Sequence, residues 1–222
     1  IELILVDASD VSWLKRLADD RSWIRHIYQK PRGQPAARNR GIEAASGEYI
    51  ALLDADDYWH PEKLRKQVSL LKSGKNAVYS DSYEVALRGE EPVVRYRGGP
   101  PSSPDVAHIE CLHRDIAPHI STIIYKKDTM PQRPFYEPLQ NHEDVTFMVE
   151  LFKRCPPGNV AEGLSVRRVR GGSITDGVTE ETYRNQLNSI SYLSKKYPDL
   201  QEHLSVRTAI SKRSLGVHYL GE

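Results

Sequence analysis

The sequence predicts an α/β fold, a mixed, mostly parallel sheet flanked by helices, on three observations. Short apolar runs alternate with amphipathic segments over the first 80 residues, the pattern of strand–helix–strand units. One run, Glu48 to Leu53, delivers Asp54, Asp56 and Asp57 just before His60-Pro61-Glu62 opens a helix. That is where open α/β sheets bind ligands. Beyond Thr179 the pattern is purely helical, with Tyr183, Leu187 and Ile190 on one segment and Leu200, Leu204 and Ile210 on the next.

In order, Ile1 to Val6 reads as a buried strand ended by Asp7-Ala8-Ser9-Asp10. The chain opens directly on that strand without Met, so a strand and helix are expected to precede it. A short helix carries Val11, Leu14, Leu17 and Ala18, and Trp23 to Tyr28 is a second strand. Gln34-Pro35 starts a helix running to about Ala45. Gly41 in its interior costs about 1 kcal/mol relative to Ala, so close packing or close ligand approach is expected there. After the acidic cluster a helix places Leu64, Val68 and Leu71 on one face. Asn76 to Tyr79 and Ser121 to Lys126 read as strands. Between them Gly89, Pro92, Gly98-Gly99-Pro100-Pro101 and Pro104 mark irregular connections, with Val93 to Tyr96 a hairpin arm. Asn141-His142-Glu143-Asp144 precedes a helix carrying Val145, Met148, Val149 and Phe152, and Val160 to Val169 is the last strand.

Composition sets limits. A formal charge of +1 on 222 residues gives no electrostatic case for nucleic acid. The longest apolar runs, about six residues, are far short of a membrane span. Two cysteines, Cys111 and Cys155, make neither a disulfide framework nor a metal motif, which suits a cytoplasmic compartment.

The acidic cluster has two readings. Like charges this close call for a countercharge, and a hard divalent cation is the natural one. Alternatively Asp57 caps the helix that follows.

Taken together, three segments resemble the family-2 glycosyltransferases of the GT-A fold: Gly33-x4-Arg38-Asn39-x-Gly41, Ala45-x-Gly47-Glu48-Tyr49-Ile50, and Leu53-Asp54-Ala55-Asp56-Asp57. The resemblance covers roughly residues 1 to 175, with 176 to 222 a helical extension. It implies an inverting transferase that moves a sugar from a nucleotide-diphospho-sugar, a UDP-sugar by preference, to a saccharide or lipid-linked acceptor. Asp7, Arg38, Asp54, Ala55 and Asp56 are then expected at the donor, with Asp56 holding Mn²⁺ or Mg²⁺. Arg38 would meet phosphate and Asp54 the ribose or sugar. Ala8 departs from the family's Asp-Asp-Gly-Ser, where a second Asp helps hold the base.

Glu143-Asp144 falls where the family keeps its acidic pair, so Asp144 is the expected base, with Glu143 sharing that role. Asn141 as N-cap with Asp144 three residues on is also close to a capping box, and both roles can coexist. Arg168 or Arg170, beside Gly171-Gly172-Ser173, would add charge near the diphosphate. Trp59 would stack on a sugar or simply pack. The C-terminal helices would form a packing layer, a homo-oligomer contact or a peripheral contact with the inner face of a membrane.

Rival readings leave different marks. A phosphatase with Asp-x-Asp after a strand wants Thr or Val where Tyr58 stands. A sugar-phosphate nucleotidyltransferase needs a Gly-rich entry loop that would lie before Ile1. A non-catalytic sugar- or nucleotide-binding scaffold on the same fold would be marked by lost acidic residues, and Ala8 is one such loss.

Overall fold

The computed structural model describes residues 1–9, 12–88, 91–113, 118–139, 141–169 and 180–220. Strand β1 (Leu3–Asp7), helix α1 (Ser12–Asp19), strand β2 (Ile24–Tyr28) and helix α2 (Gln34–Ala44) come first. β1 and β2 pair in parallel, Leu3 opposite Ile24 and Asp7 opposite Tyr28. α2 starts with Pro35 in its first turn, where the missing N–H is no loss. A Cβ at Gly41 would stand 3.5 Å from Val6 Cγ2, an ordinary van der Waals contact, which shows α2 lying on β1 at that position.

Strands β3 (Tyr49–Ala51) and β4 (Tyr58–Trp59), helix α3 (Lys63–Lys72), and strands β5 (Ala77–Arg88) and β6 (Glu91–Arg97) follow. Helix α4 (Ala107–His113), strand β7 (Ile123–Lys126), helix α5 (Glu143–Arg154) and strand β8 (Gly158–Val169) lead to α6 (Glu180–Lys196) and α7 (Gln201–Leu220). The larger sheet has the order β3-β7-β5-β8-β4, with β6 also paired to β5. The sheet is mixed as expected, but parallel pairing does not dominate in it. Among the described residues, β5–β8 is the parallel pair of this sheet, while β3–β7, β5–β7, β4–β8 and the β5–β6 hairpin are antiparallel. After α3 the connections no longer carry one crossover helix per strand, and antiparallel neighbours need none.

Alternation along the central strands sorts two cores. Ala77 and Tyr79 of β5, with Ile123 and Tyr125 of β7, face a large cluster built with α4, α5, α6 and α7. Val78 and Ile124 face the other way, onto Leu71 of α3. Ile190, Leu193, Leu200 and Leu204 join the first cluster, so the C-terminal helices share the main core. The expected boundary at 175/176 lies outside the described residues, as do Arg170 to Ser173. Both cysteines are buried. Among the described residues no helix is long and apolar enough to cross a membrane.

Candidate active site

The N-terminal ends of β1 and β3 lie side by side, because Glu2 Oε1 accepts hydrogen bonds from the Ser46 and Gly47 amides at 2.6 and 2.9 Å. Their far ends carry Asp7 and the acidic turn. That turn is tight: the Asp57 amide donates to the Asp54 carbonyl at 3.0 Å.

Its three carboxylates have separate environments. Asp57 is buried and points inward, accepting the Ser121 hydroxyl at 2.6 Å and the Arg168 amide at 3.3 Å. Burial raises its pKa, and Asp54 and Asp56 add to the rise. The expected cap is therefore not made: α3 begins after Glu62, with no side-chain cap, and Asp57 instead ties the turn to the strands beneath it. Asp56 is exposed, and among the described residues its carboxylate makes no hydrogen bond or ion pair. Ala55 beside it is exposed at the tip of the turn.

Asp54 is engaged from another direction. Arg38, five residues into α2, donates to Asp54 Oδ1 at 2.8 Å through Nη2 and to Glu143 Oε1 at 2.5 Å through Nη1. Its guanidinium also lies 5.4 Å from the Phe135 ring centroid. Burial works against its charge, but Asp54, Glu143 and Asp144 outweigh that and hold its pKa above the ordinary value. Arg38 thus joins the end of β3 to the start of α5 through two carboxylates 89 positions apart in the chain. Both Nη atoms of Arg38 are engaged by carboxylates.

Glu143 and Asp144 open α5. Glu143 is buried, and burial with the neighbouring Asp144 raises its pKa while Arg38 limits the rise. Asp144 is half-buried, and its Oδ1 accepts the Val145 amide at 2.7 Å. The capping box is absent. The N-cap is His142, at φ 63°, with no side-chain cap bond, so Asn141 does not fill that role. The left-handed turn at His142 swings the acidic pair into place, and Thr146 secures it by donating to the His142 carbonyl at 2.6 Å.

Asp7 accepts the Ser9 amide at 2.9 Å, and its other oxygen lies 3.5 Å from His26 Nε2. Trp59 packs: its indole N–H donates to the Ser121 carbonyl at 2.7 Å and its face covers the Lys63 ammonium at 4.4 Å. Arg168 donates through Nε to the Asp56 carbonyl at 3.3 Å and lies over Tyr58.

Sequence reasoning missed Ser121 and His119. Ser121 Oγ accepts the Asp54 amide at 3.0 Å while donating to Asp57, so one hydroxyl holds both ends of the acidic turn. His119 Nδ1 is 3.4 Å from Asp57 Oδ2, and burial, with Arg167 nearby, pushes the imidazole down to about 4. The signal was thin: a polar pair, His119 and Ser121, on either side of an apolar residue at the start of a strand.

Among the described residues no three His, Cys, Asp or Glu side chains are grouped to cage a metal ion. A single exposed carboxylate nevertheless fits a hard cation whose other ligands are phosphate oxygens and water.

The model of the family described as glycosyl transferase family 2 matches residues 1–127. An uncharacterized glycosyltransferase of Rickettsia felis is 24% identical over 191 residues, 78% of this chain and 29% of that protein. The Escherichia coli UDP-Glc:alpha-D-GlcNAc-diphosphoundecaprenol beta-1,3-glucosyltransferase WfaP is 38% identical over 80 residues, 34% of this chain and 31% of its own. This chain therefore spans under a third of the length of those relatives. The crystal structure of S. aureus TarS 1–349 in complex with UDP superposes with a TM-score of 0.61 at 17% identity, covering 87% of this chain and 56% of that one. That likeness shows the GT-A fold.

Proposed function

The chain belongs to glycosyltransferase family 2, and from that premise we propose that it transfers a sugar, with inversion, from a UDP-sugar to a hydroxyl of a saccharide or lipid-linked saccharide. One observation carries the reading. By pairing with Asp54 and Glu143, Arg38 brings the acidic turn and the N-terminus of α5 together, leaving Asp56 and Asp144 as the carboxylates still available to ligands.

The division of labour follows from those environments. Glu143 is buried and bound to Arg38, so it positions α5 and does not exchange protons. Asp144 can accept the proton of an acceptor hydroxyl, since a base needs only hydrogen-bond reach of the proton it removes. As that oxygen bonds to the anomeric carbon, the bond to the diphosphate breaks on the opposite face and the electron pair leaves with the phosphate oxygen. Asp56 would hold Mn²⁺ or Mg²⁺, which when bound would supply positive charge against that of the leaving diphosphate. Asp7, at the end of β1, stands at the same end of the fold for contact with the nucleoside. The name of WfaP carries a UDP-sugar and a diphosphoundecaprenol-linked acceptor, and the TarS structure holds UDP. These support the choice of UDP and of a lipid-linked acceptor, which would bring the protein to the inner face of a membrane.

The test is release of UDP from UDP-sugars with and without saccharide acceptors. Asp144→Asn is expected to lower the acceptor-dependent rate by about 10²–10⁴-fold, the span of general-base catalysis, with nucleotide affinity kept. Anomeric NMR of the product should show a configuration opposite to the donor's. Retention of configuration, or an Asp144→Asn variant at full rate, would defeat the assignment.

A further inference from the structure

Resting on the transferase reading above, we propose that the groove between the segment 130–139 and α6 holds a neutral saccharide portion of the acceptor, beyond the sugar that reacts. Two adjoining cavities of about 290 and 530 Å³ lie there, and Tyr136, Tyr192 and Lys196 line both. The rings of Tyr136 and Tyr192 stack at 4.3 Å with 17° between planes, and Tyr136 stays 43% exposed. Neither cavity is lined by Asp54, Asp56 or Asp144, so the groove is separate from the donor end.

The platform is built before any ligand arrives. The Tyr192 hydroxyl donates to Glu150 Oε1 at 2.8 Å and Lys196 Nζ donates to Glu150 Oε2 at 2.6 Å, on a glutamate only 1% exposed. On the other wall Asn39 and the Phe135 backbone exchange two hydrogen bonds, at 2.8 and 2.9 Å, and the Phe135 ring stacks on Phe147 at 4.5 Å. Held rings and fixed polar groups around a cavity reduce the ordering that binding must impose.

Charge decides the ligand class. Lys196 is matched by Glu150, and Arg133 by Glu43 and Glu137. Lys195, exposed along the larger cavity, is the remaining cation among the lining residues. A phosphate would meet cations already neutralised beside a buried carboxylate. A neutral sugar presents a C–H face to the ring and hydroxyls to the exposed Asn188 and Ser191, which the groove can satisfy.

Position links the groove to the reaction. Asn39 follows Arg38, Phe135 lies beneath its guanidinium, and α5 rises about 9 Å between Asp144 and Glu150. The groove thus adjoins the acidic pair through Phe135, which lines it, and Arg38, which holds Glu143.

The experiment is a printed array of neutral and anionic bacterial-type glycans probed with the labelled full chain, alongside UDP titrations of every variant. The wild type is expected to retain neutral glycans. Tyr136→Ala and Tyr136→Leu should weaken retention about tenfold through loss of the flat ring face, with UDP binding unchanged, while Tyr136→Phe keeps it. Retention of no neutral glycan by the wild type, of anionic glycans alone, or equal retention by Tyr136→Ala and Tyr136→Leu would overturn the groove. Failure of wild-type UDP binding would instead sink the transferase reading, so the two failures are distinct.

Discussion

Lys63 is fully buried in the first turn of α3, its ammonium under the Trp59 ring and donating to Gln67 Oε1 at 2.6 Å. Burial pushes its pKa down to about 7. The unfolded chain keeps the proton up to the ordinary value of 10.5, so between about pH 7 and 10.5 the unfolded state binds more protons than the folded one. Stability from this residue therefore rises with pH across that window, by at most about 1.4 kcal/mol per pH unit, and is flat below it. Urea melts of wild type and Lys63→Met from pH 6.5 to 9 should show the rise in the wild type and its loss in the variant. Equal slopes would mean that the ammonium is solvated in the folded protein. The helix was legible from Leu64, Val68 and Leu71, yet the deepest face is Lys63, Gln67 and Leu71. Polar residues at a 3.6-residue period hide a buried stripe unless they have partners inside, and Gln67 finds them in the Val78 and Thr122 carbonyls.

At the scale of elements, the site depends on one cross-link between α2, the end of β3 and the start of α5. Arg38→Ala would strand Glu143, which is 5% exposed, without its countercharge. Breaking a buried pair on one side costs about 3–5 kcal/mol. Arg38→Ala is therefore expected to destabilise strongly and to abolish transfer, whereas Arg38→Ala with Glu143→Leu should recover much of the stability and none of the transfer. Chemical melts and a rate assay on the three variants check this. Recovered transfer in the double variant would show that the cross-link positions nothing the reaction needs. The sequence placed these residues in suitable segments but not in contact, because the pairing spans 105 positions and no local period encodes it. The α5 N-terminus was misjudged for the opposite reason. Asn141 and Asp144 satisfy a local capping pattern, but the chain enters through a left-handed His142, the φ > 0 conformation that sequence signals assign to glycine or asparagine.

For the whole molecule, apolar periodicity was enough to define the strand–helix alternation, because Ile50, Val78, Ile124 and their neighbours pack where alternation puts them. Strand direction was less legible, since antiparallel β7 and β6 join through loops and a hairpin whose course depends on contacts such as Asp81 accepting from the Gly99 amide at 2.9 Å. Asp7 ends β1 and Asp54 and Asp56 follow β3, two strands whose N-terminal ends adjoin, and the proposed donor site takes these three residues together. Its most direct test is calorimetric titration of UDP, with GDP as comparison, into the wild type and Asp56→Ala with and without Mn²⁺. The account predicts Mn²⁺-dependent binding of UDP, weak binding of GDP, and at least a tenfold loss in Asp56→Ala, about 1.4 kcal/mol. No nucleotide binding under any of these conditions, or Mn²⁺-dependent UDP binding undiminished in Asp56→Ala, would contradict it.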